Sequence, residues 1–369
     1  MKILAVKFLS LVVVWLFIPA ATMALPVEGL YSHEVAVVNQ SDAERNRAFR
    51  EALEAVLVKV TGDPGWLQNS RLQQALSSAQ DFVEAIEYRS EIVPVTDVDA
   101  DVTAVALPQM ATQEYINVAF ARSLIDPLLA NAAIPVWDSN RPSVLVWMAL
   151  QDDSGSRLLL SEETNADIIT FMEEFSSERG IPIMFPVLDF EDSRNLNADM
   201  IWSLDDGAVT RASERYAPDS ILVGRLHMAS TGELVGLWQF IFQDQIEVFD
   251  SVNTDLRAYI DEPLDAITRQ LAEHFSIVAS LDGNQKVRLR IEGIRSLSAY
   301  AELSNYLQSL VLVDRVAVAH MQGDILELDL TLLGSQQQLG ELLGLDRNLL
   351  PLEQPLITGS AFLSYRWTQ

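Results

Sequence analysis

Three acidic side chains, Asp189, Glu191 and Asp192, crowd into the stretch FPVLDFED (185–192), where an apolar run gives way to polar residues. Paired carboxylates suit hydrolysis by acid and base, as in glycoside cleavage, when the fold holds them about 5–9 Å apart. Open α/β sheets place their ligands at loops that follow strand carboxyl ends, which is where this cluster falls in the sequence. The three residues are therefore candidate binding residues, with a carboxylate-dependent hydrolase as the alternative reading. The chain holds 52 acids, so some clustering follows from composition alone, and no residue is assigned a catalytic role.

Two other groups carry possible chemistry. Asp97, Asp99 and Asp101 form a D-x-D-x-D run like the opening of a calcium loop. Val102 replaces the turn glycine and Pro108 the closing glutamate, so the run reads as a solvated acidic turn, with weak calcium capture as the alternative. Trp137, Arg141 and Trp147 surround the start of the long apolar run SVLVWMAL (143–150). Tryptophan and arginine are favoured anchors of buried interfaces, so Trp137 and Arg141 are candidate partner or ligand contacts. The plainer expectation puts Trp147 in the core and Trp137 in a seam between domains, with Arg141 paired to an acid. Arg225 interrupts the apolar strand SILVGRLHM (220–228) and is expected to pair with a carboxylate, because an unpaired buried charge is costly.

Several reaction classes have no sequence support. The chain has no G-x-x-x-x-G-K-[ST] or G-x-G-x-x-G phosphate loop, no G-x-S-x-G nucleophile elbow, and no H-E-x-x-H pair. His33, His227, His274 and His320 are scattered, so no metal site is expected from them. The absence of cysteine removes thiol nucleophiles, disulfides, cysteine-ligated metals and the acylated cysteine of a lipoprotein anchor. A formal charge of −27 disfavours nucleic-acid binding, since the chain would repel the phosphate backbone. No cofactor is expected.

The elements that would position these residues fall into three blocks. In the first (25–140), a strand at 31–39 precedes a helix opened by the capping signature Ser41–Glu44 and closed by Gly62 and Pro64. Looser helical and extended segments follow. The second (141–282) alternates buried strands at 143–150, 181–185 and 220–228 with helices at 161–178 and 207–216. An acidic loop follows 185, two more strands run over 234–242 and 245–252, and a helix is seeded by Asp261 and Pro263. This order predicts an α/β layer with a mixed sheet and flanking helices. The third (283–369) reads βαββαβ. Val287, Leu289 and Ile291 alternate with arginines, and Leu326, Leu328, Leu330 and Leu332 alternate with polar residues. That order predicts a ferredoxin-like plan, an antiparallel sheet with two helices on one face. The fold class is α+β / α/β, three mixed βα domains.

The segments PVWDSNRPSVLVWMAL (135–150), YAPDSILVGRL (216–226), GIRSLSAYAELSNYLQSLVLVDRVAV and REALEAVLVKVTG (50–62) resemble a bacterial exported family, domain of unknown function 2066. The resemblance implies an exported protein of Gram-negative bacteria and no particular activity. The first 24 residues agree with that address. A basic start ends at Lys7, an apolar run spans Phe8 to Ile18, and Pro19 and AATMA lead to a cut between Ala24 and Leu25. That is the layout of a secretory signal peptide. An uncleaved inner-membrane anchor is the alternative. The expectation is thus a periplasmic protein with no mature membrane span, more an envelope interaction or scaffold module with a protein partner than an enzyme.

Overall fold

The computed structural model describes residues 27, 29–94, 110–243, 245–278, 285–352 and 362–368. The leader with Ala24 and Leu25, and the run Asp97, Asp99 and Asp101, lie outside the described residues. The chain is a mixed α+β protein built on three sheets.

The first sheet carries the helix expected from its caps. Strand β1 (Ser32–Val37) leads to α1 (Asp42–Thr61), where Ser41 Oγ accepts from Glu44 N. Only half of the expected capping box forms, because the Glu44 carboxylate accepts from Val38 N instead. After α2 (Ser70–Ser77), strands β2 (Val83–Pro94) and β3 (Met110–Phe120) pair antiparallel, giving the order β1-β3-β2, and α3 (Arg122–Asn131) closes the unit. Leu53, Val56, Leu57 and Val60 of α1 pack on Val35, Ile116 and Val118.

The second sheet comprises β4 (Val144–Gln151), β5 (Arg157–Leu159), β6 (Ile183–Met184), β7 (Ser220–Met228), β8 (Leu234–Phe242) and β9 (Gln245–Asn253). Its order is β5-β4-β7-β8-β9, with β6 also on β4; β4 runs parallel to β6 and β7, and the rest pair antiparallel. On one face, α4 (Glu162–Arg179) and α8 (Leu256–Phe275) bury Ile168, Met172, Tyr259, Leu264 and Leu271 against Val146, Leu222 and Trp238. On the other, α6 (Ala198–Trp202) and α7 (Asp206–Ser213) cover Leu145, Trp147 and Val223. Burial on both faces accounts for the unbroken apolar run of β4. Two local expectations change. The acidic loop after 185 is α5 (Phe190–Asn195) followed by α6. Helix α8 starts at its cap Asp255, not near Asp261, and holds Pro263 inside, where the ring removes one helical hydrogen bond.

The third sheet holds β10 (Gln285–Glu292), β11 (Val313–Gln322), β12 (Ile325–Leu332), β13 (Leu349–Pro351) and β14 (Phe362–Trp367), ordered β11-β12-β10-β14-β13. Helices α9 (Leu297–Ser309) and α10 (Gln336–Gly344) share one apolar core with Leu289, Leu328 and Leu330. The expected all-antiparallel plan is modified. Strand β13 takes the edge first, and β14 reverses from it into the gap beside β10, so β14 pairs parallel to β10.

The five residues Trp137–Arg141 tie the three sheets together. Trp137 N donates to Val60 O at the end of α1, and Arg141 Nη2 donates to Lys59 O. The same guanidinium donates to the carbonyls of Trp137, Asp138, Arg179 and Gly180, reaching the end of α4. The buried Asp138 carboxylate accepts from Val311 N, and Asn140 Nδ2 donates to Leu342 O and Tyr306 Oη, all in the third unit. Gly62, in the left-handed conformation at φ 74°, leaves room for the Trp137 ring, which a Cβ there would meet at 2.8 Å.

Replacing Arg141 by leucine strands five buried carbonyls, and each unsatisfied polar group costs about 1–3 kcal/mol. Denaturant unfolding of Arg141→Leu is expected to show a loss of roughly 3 kcal/mol or more, with separated transitions. Arg141→Lys, a point charge with three donors, falls between the two.

Candidate functional site

The predicted acidic cluster forms around an arginine. Asp189 caps α5, accepting from Glu191 N and Asp192 N, and takes both Arg215 Nη1 and Nη2, at 2.8 and 3.0 Å. Asp192, buried to 1% exposure, accepts from Leu188 N, Tyr216 Oη and Arg215 Nη1. Glu191 lies 3.7 Å from the same guanidinium. Arg215 holds the Asp189 carboxyl down to about 2, so it stays ionised as an acceptor and has no proton to donate near neutral pH. Burial, followed by the Asp192 hydrogen bond, pushes the Tyr216 hydroxyl up to about 12. The network fastens α5 to the chain after α7, and Tyr216 in turn packs edge-on against Trp147 at 6.2 Å.

The two tryptophans and two arginines do not form one site: Trp137 stacks with Arg141, while Trp147 and Arg225 have other partners. Trp147 is buried and donates from Nε1 to Ser213 Oγ. Trp137 lies under Arg141, whose guanidinium carbon is 4.1 Å from the ring centre. The expected acid partner of Arg141 is absent from its hydrogen bonds. Main-chain carbonyls at two helix ends replace it, because those groups carry the negative end of the helix dipole. Arg225 likewise departs from the expected carboxylate pair: it donates to Trp202 O and lies 5.5 Å from the Trp202 ring. Arg157 reaches the same ring at 4.6 Å and His227 at 6.0 Å. Among the described residues no group of three histidine, aspartate or glutamate side chains is arranged to hold a metal ion.

Arg225 borders a second feature. Its register partner Leu237 belongs to a sheet face that continues through β8 and β9 beyond the cover of α6 and α7. There β9 exposes Ile246 (48%), Val248 (52%) and Val252 (53%). Among the described residues β8 is the one strand paired with β9. The two strands join through a two-residue connection between Phe242 and Gln245, with Gln243 at φ 54°, as a tight hairpin turn requires. Counting the antiparallel ladder from that turn, Ile246, Val248, Asp250 and Val252 occupy the non-hydrogen-bonded pairs, so their N–H and C=O groups point away from β8. On the opposite face, a groove of about 570 Å³ runs between β9 and α8. Phe249, Pro263, Ala266 and Ile267 line it with apolar surface; Glu247, Glu262 and Glu273 supply acids, against the single base Arg269.

The sequence did not single out this edge. The stretch QIEVFDSVN reads as an ordinary strand, and edge position depends on pairing that no local pattern encodes. The alternation of Ile246, Val248 and Val252 with Glu247 was the available signal.

Comparison with known proteins corrects the expected resemblance. Residues 24–138 match the family model described as Domain of unknown function (DUF8605), not domain of unknown function 2066. The match covers less than half of the chain and attaches no activity. No curated protein matches. One solved structure, titled "Crystal structure of uncharacterized protein", aligns at 11% identity over 37% of this chain and 87% of its own, with a TM-score of 0.16. No helix among the described residues is long and apolar enough to cross a membrane.

The Arg215–Asp189 pair has a pH signature. Because the Asp189 pKa is depressed in the folded state, its contribution is present above the ordinary carboxylate value and fades as pH falls from about 4 towards about 2. Melting temperatures measured across that window should fall more steeply for the wild type than for Arg215→Gln.

Proposed function

We propose that this chain is an exported, non-enzymatic interaction module of the bacterial cell envelope. It binds an extended, basic polypeptide segment by adding it as a strand to β9. The observation that carries the reading is the nine-residue edge strand, with outward main-chain groups and an acid-bearing groove along one side. Strand addition draws affinity from main-chain hydrogen bonds and specificity from alternate side chains. On one face the incoming residues would meet Ile246, Val248 and Val252, which favour aliphatic side chains. On the other they would enter the groove, where lysine or arginine stems lie over Phe249 and Pro263 and their charges reach Glu247, Glu262 and Glu273. The overall charge of −27 draws a basic partner towards the whole molecule. The leader supports placing this encounter in the periplasm, with the mature chain beginning at Leu25. The three sheets would act as three domains, bounded near residues 140 and 282.

Calorimetric titration with a ten-residue peptide of alternating valine and lysine tests the reading. Binding should weaken as salt rises. It should be lost in Val248→Pro, which removes an outward N–H, and fall tenfold or more in the double variant Glu247→Lys/Glu262→Lys. Equal binding by all three proteins, or by a valine–glutamate peptide, contradicts it.

A further inference from the structure

A second recessed site lies between the first and second units. The cleft has a volume of about 600 Å³ and is walled by the start of the first unit, by Lys59 and Asn117, and by the end of α4 from Ser176 to Pro182. That volume lies within the range of small-molecule sites.

Lys59 is the unusual member. The chain's four lysines are Lys2, Lys7, Lys59 and Lys286, so nearly all other positive charge is arginine. Lys59 is 7% exposed, and its Nζ donates to Ser32 O at 3.2 Å and Gly29 O at 3.5 Å. Both acceptors are neutral carbonyls, and together they take two of its three donors. Burial, and then the neighbouring Arg141, lower its pKa. Burial also lowers that of His33, with Lys59 contributing. The negative ends of α1 and α4 do not balance this ammonium, because Arg141 and Arg179 already donate to the carbonyls of Lys59, Gly62, Arg179 and Gly180. The carboxylate that lines the cleft, Glu34, is held by Arg89 through two hydrogen bonds of 3.0 and 2.6 Å. In a chain with twice as many acids as bases, this pocket keeps a buried cation with no acid of its own among the described residues.

We propose that the cleft binds a small organic anion through a carboxylate or phosphate group on the Lys59 ammonium. Ser177 and Asn117 offer neutral donors around that position, and Val27, Ile181 and Pro182 contribute apolar wall for the carbon part of the ligand. The site does not involve β9, so its success or failure is independent of strand addition.

The test uses the full chain labelled with 13C at the lysine ε-carbon. Succinate, inorganic phosphate and the neutral analogue succinamide are titrated at constant ionic strength. Succinate, phosphate or both should shift the Lys59 signal saturably and move its titration midpoint upward by about one pH unit or more, as an opposite charge within contact does. Which of the two acts identifies the group recognised. The same anion should raise the melting temperature of the wild type and leave Lys59→Met unchanged. A Lys59 signal unmoved by both anions, or moved equally by succinamide, overturns the proposal. Should Lys59→Met fail to fold, the wild-type signal decides alone.

Discussion

A single buried guanidinium, that of Arg141, ties the end of α1 to the end of α4. Arg141 is fully buried, stacked on Trp137, and donates to five main-chain carbonyls drawn from α1, α4 and its own segment. An ion so far from water is tolerable only when every donor is used, and here the planar fork lets one side chain reach two helix ends at once. Asp138 and Asn140 extend the same segment to the third unit. Burial raises the Asp138 carboxyl, while the amides of Val311 and Ser139 work against that rise. Arg179, beside them, donates to Gly62 O and pairs with Asp265 of α8, so the first and second units are joined twice.

That constraint shapes where recognition can occur. The joining segment, the Arg179–Gly62 hydrogen bond and the Val136–Ile277 bridge all lie away from β9, the edge of the second sheet. In the second sheet the cluster under α6 and α7 reaches β8 only at Ile241 and includes no residue of β9. Natural edge strands are commonly blunted by bulges, prolines or inward charges, because an open edge invites pairing. Strand β9 has an unbroken register with β8 and no proline, and its two acids fall one on each face, Glu247 towards the groove and Asp250 among Ile246, Val248 and Val252. The Asp189 cluster, by contrast, spends its carboxylates on Arg215 and on capping α5. Two regions that look equally acidic in the sequence thus differ in whether their charge is already matched.

Much of the fold was legible because local patterns and tertiary burial agree. The strands at Ser220–Met228 and Leu234–Phe242 coincide with the expected runs, and Gly62 ends α1 where the glycine signal lies. Legibility failed where the deciding partner is distant in sequence. Arg141 and Arg225 were expected to face acids, yet carbonyls and a tryptophan ring meet their needs. Strand β14 was expected antiparallel, but the edge strand Leu349–Pro351, too short to show periodicity, sets its direction. Lys59 sits on the buried stripe of α1, where a lone cation reads as the end of a helix; only the packed units reveal a cleft beside it.

Hydrogen exchange across the joining segment examines the central claim most directly. If residues 137–141 are the buried junction of all three units, the amides of Trp137 and Val311 exchange only when the whole molecule unfolds, at the same opening free energy as Leu145 in the middle of β4. Fast exchange at Trp137 and Val311, with Leu145 still protected, would show a loose tether between independent units and contradict the account.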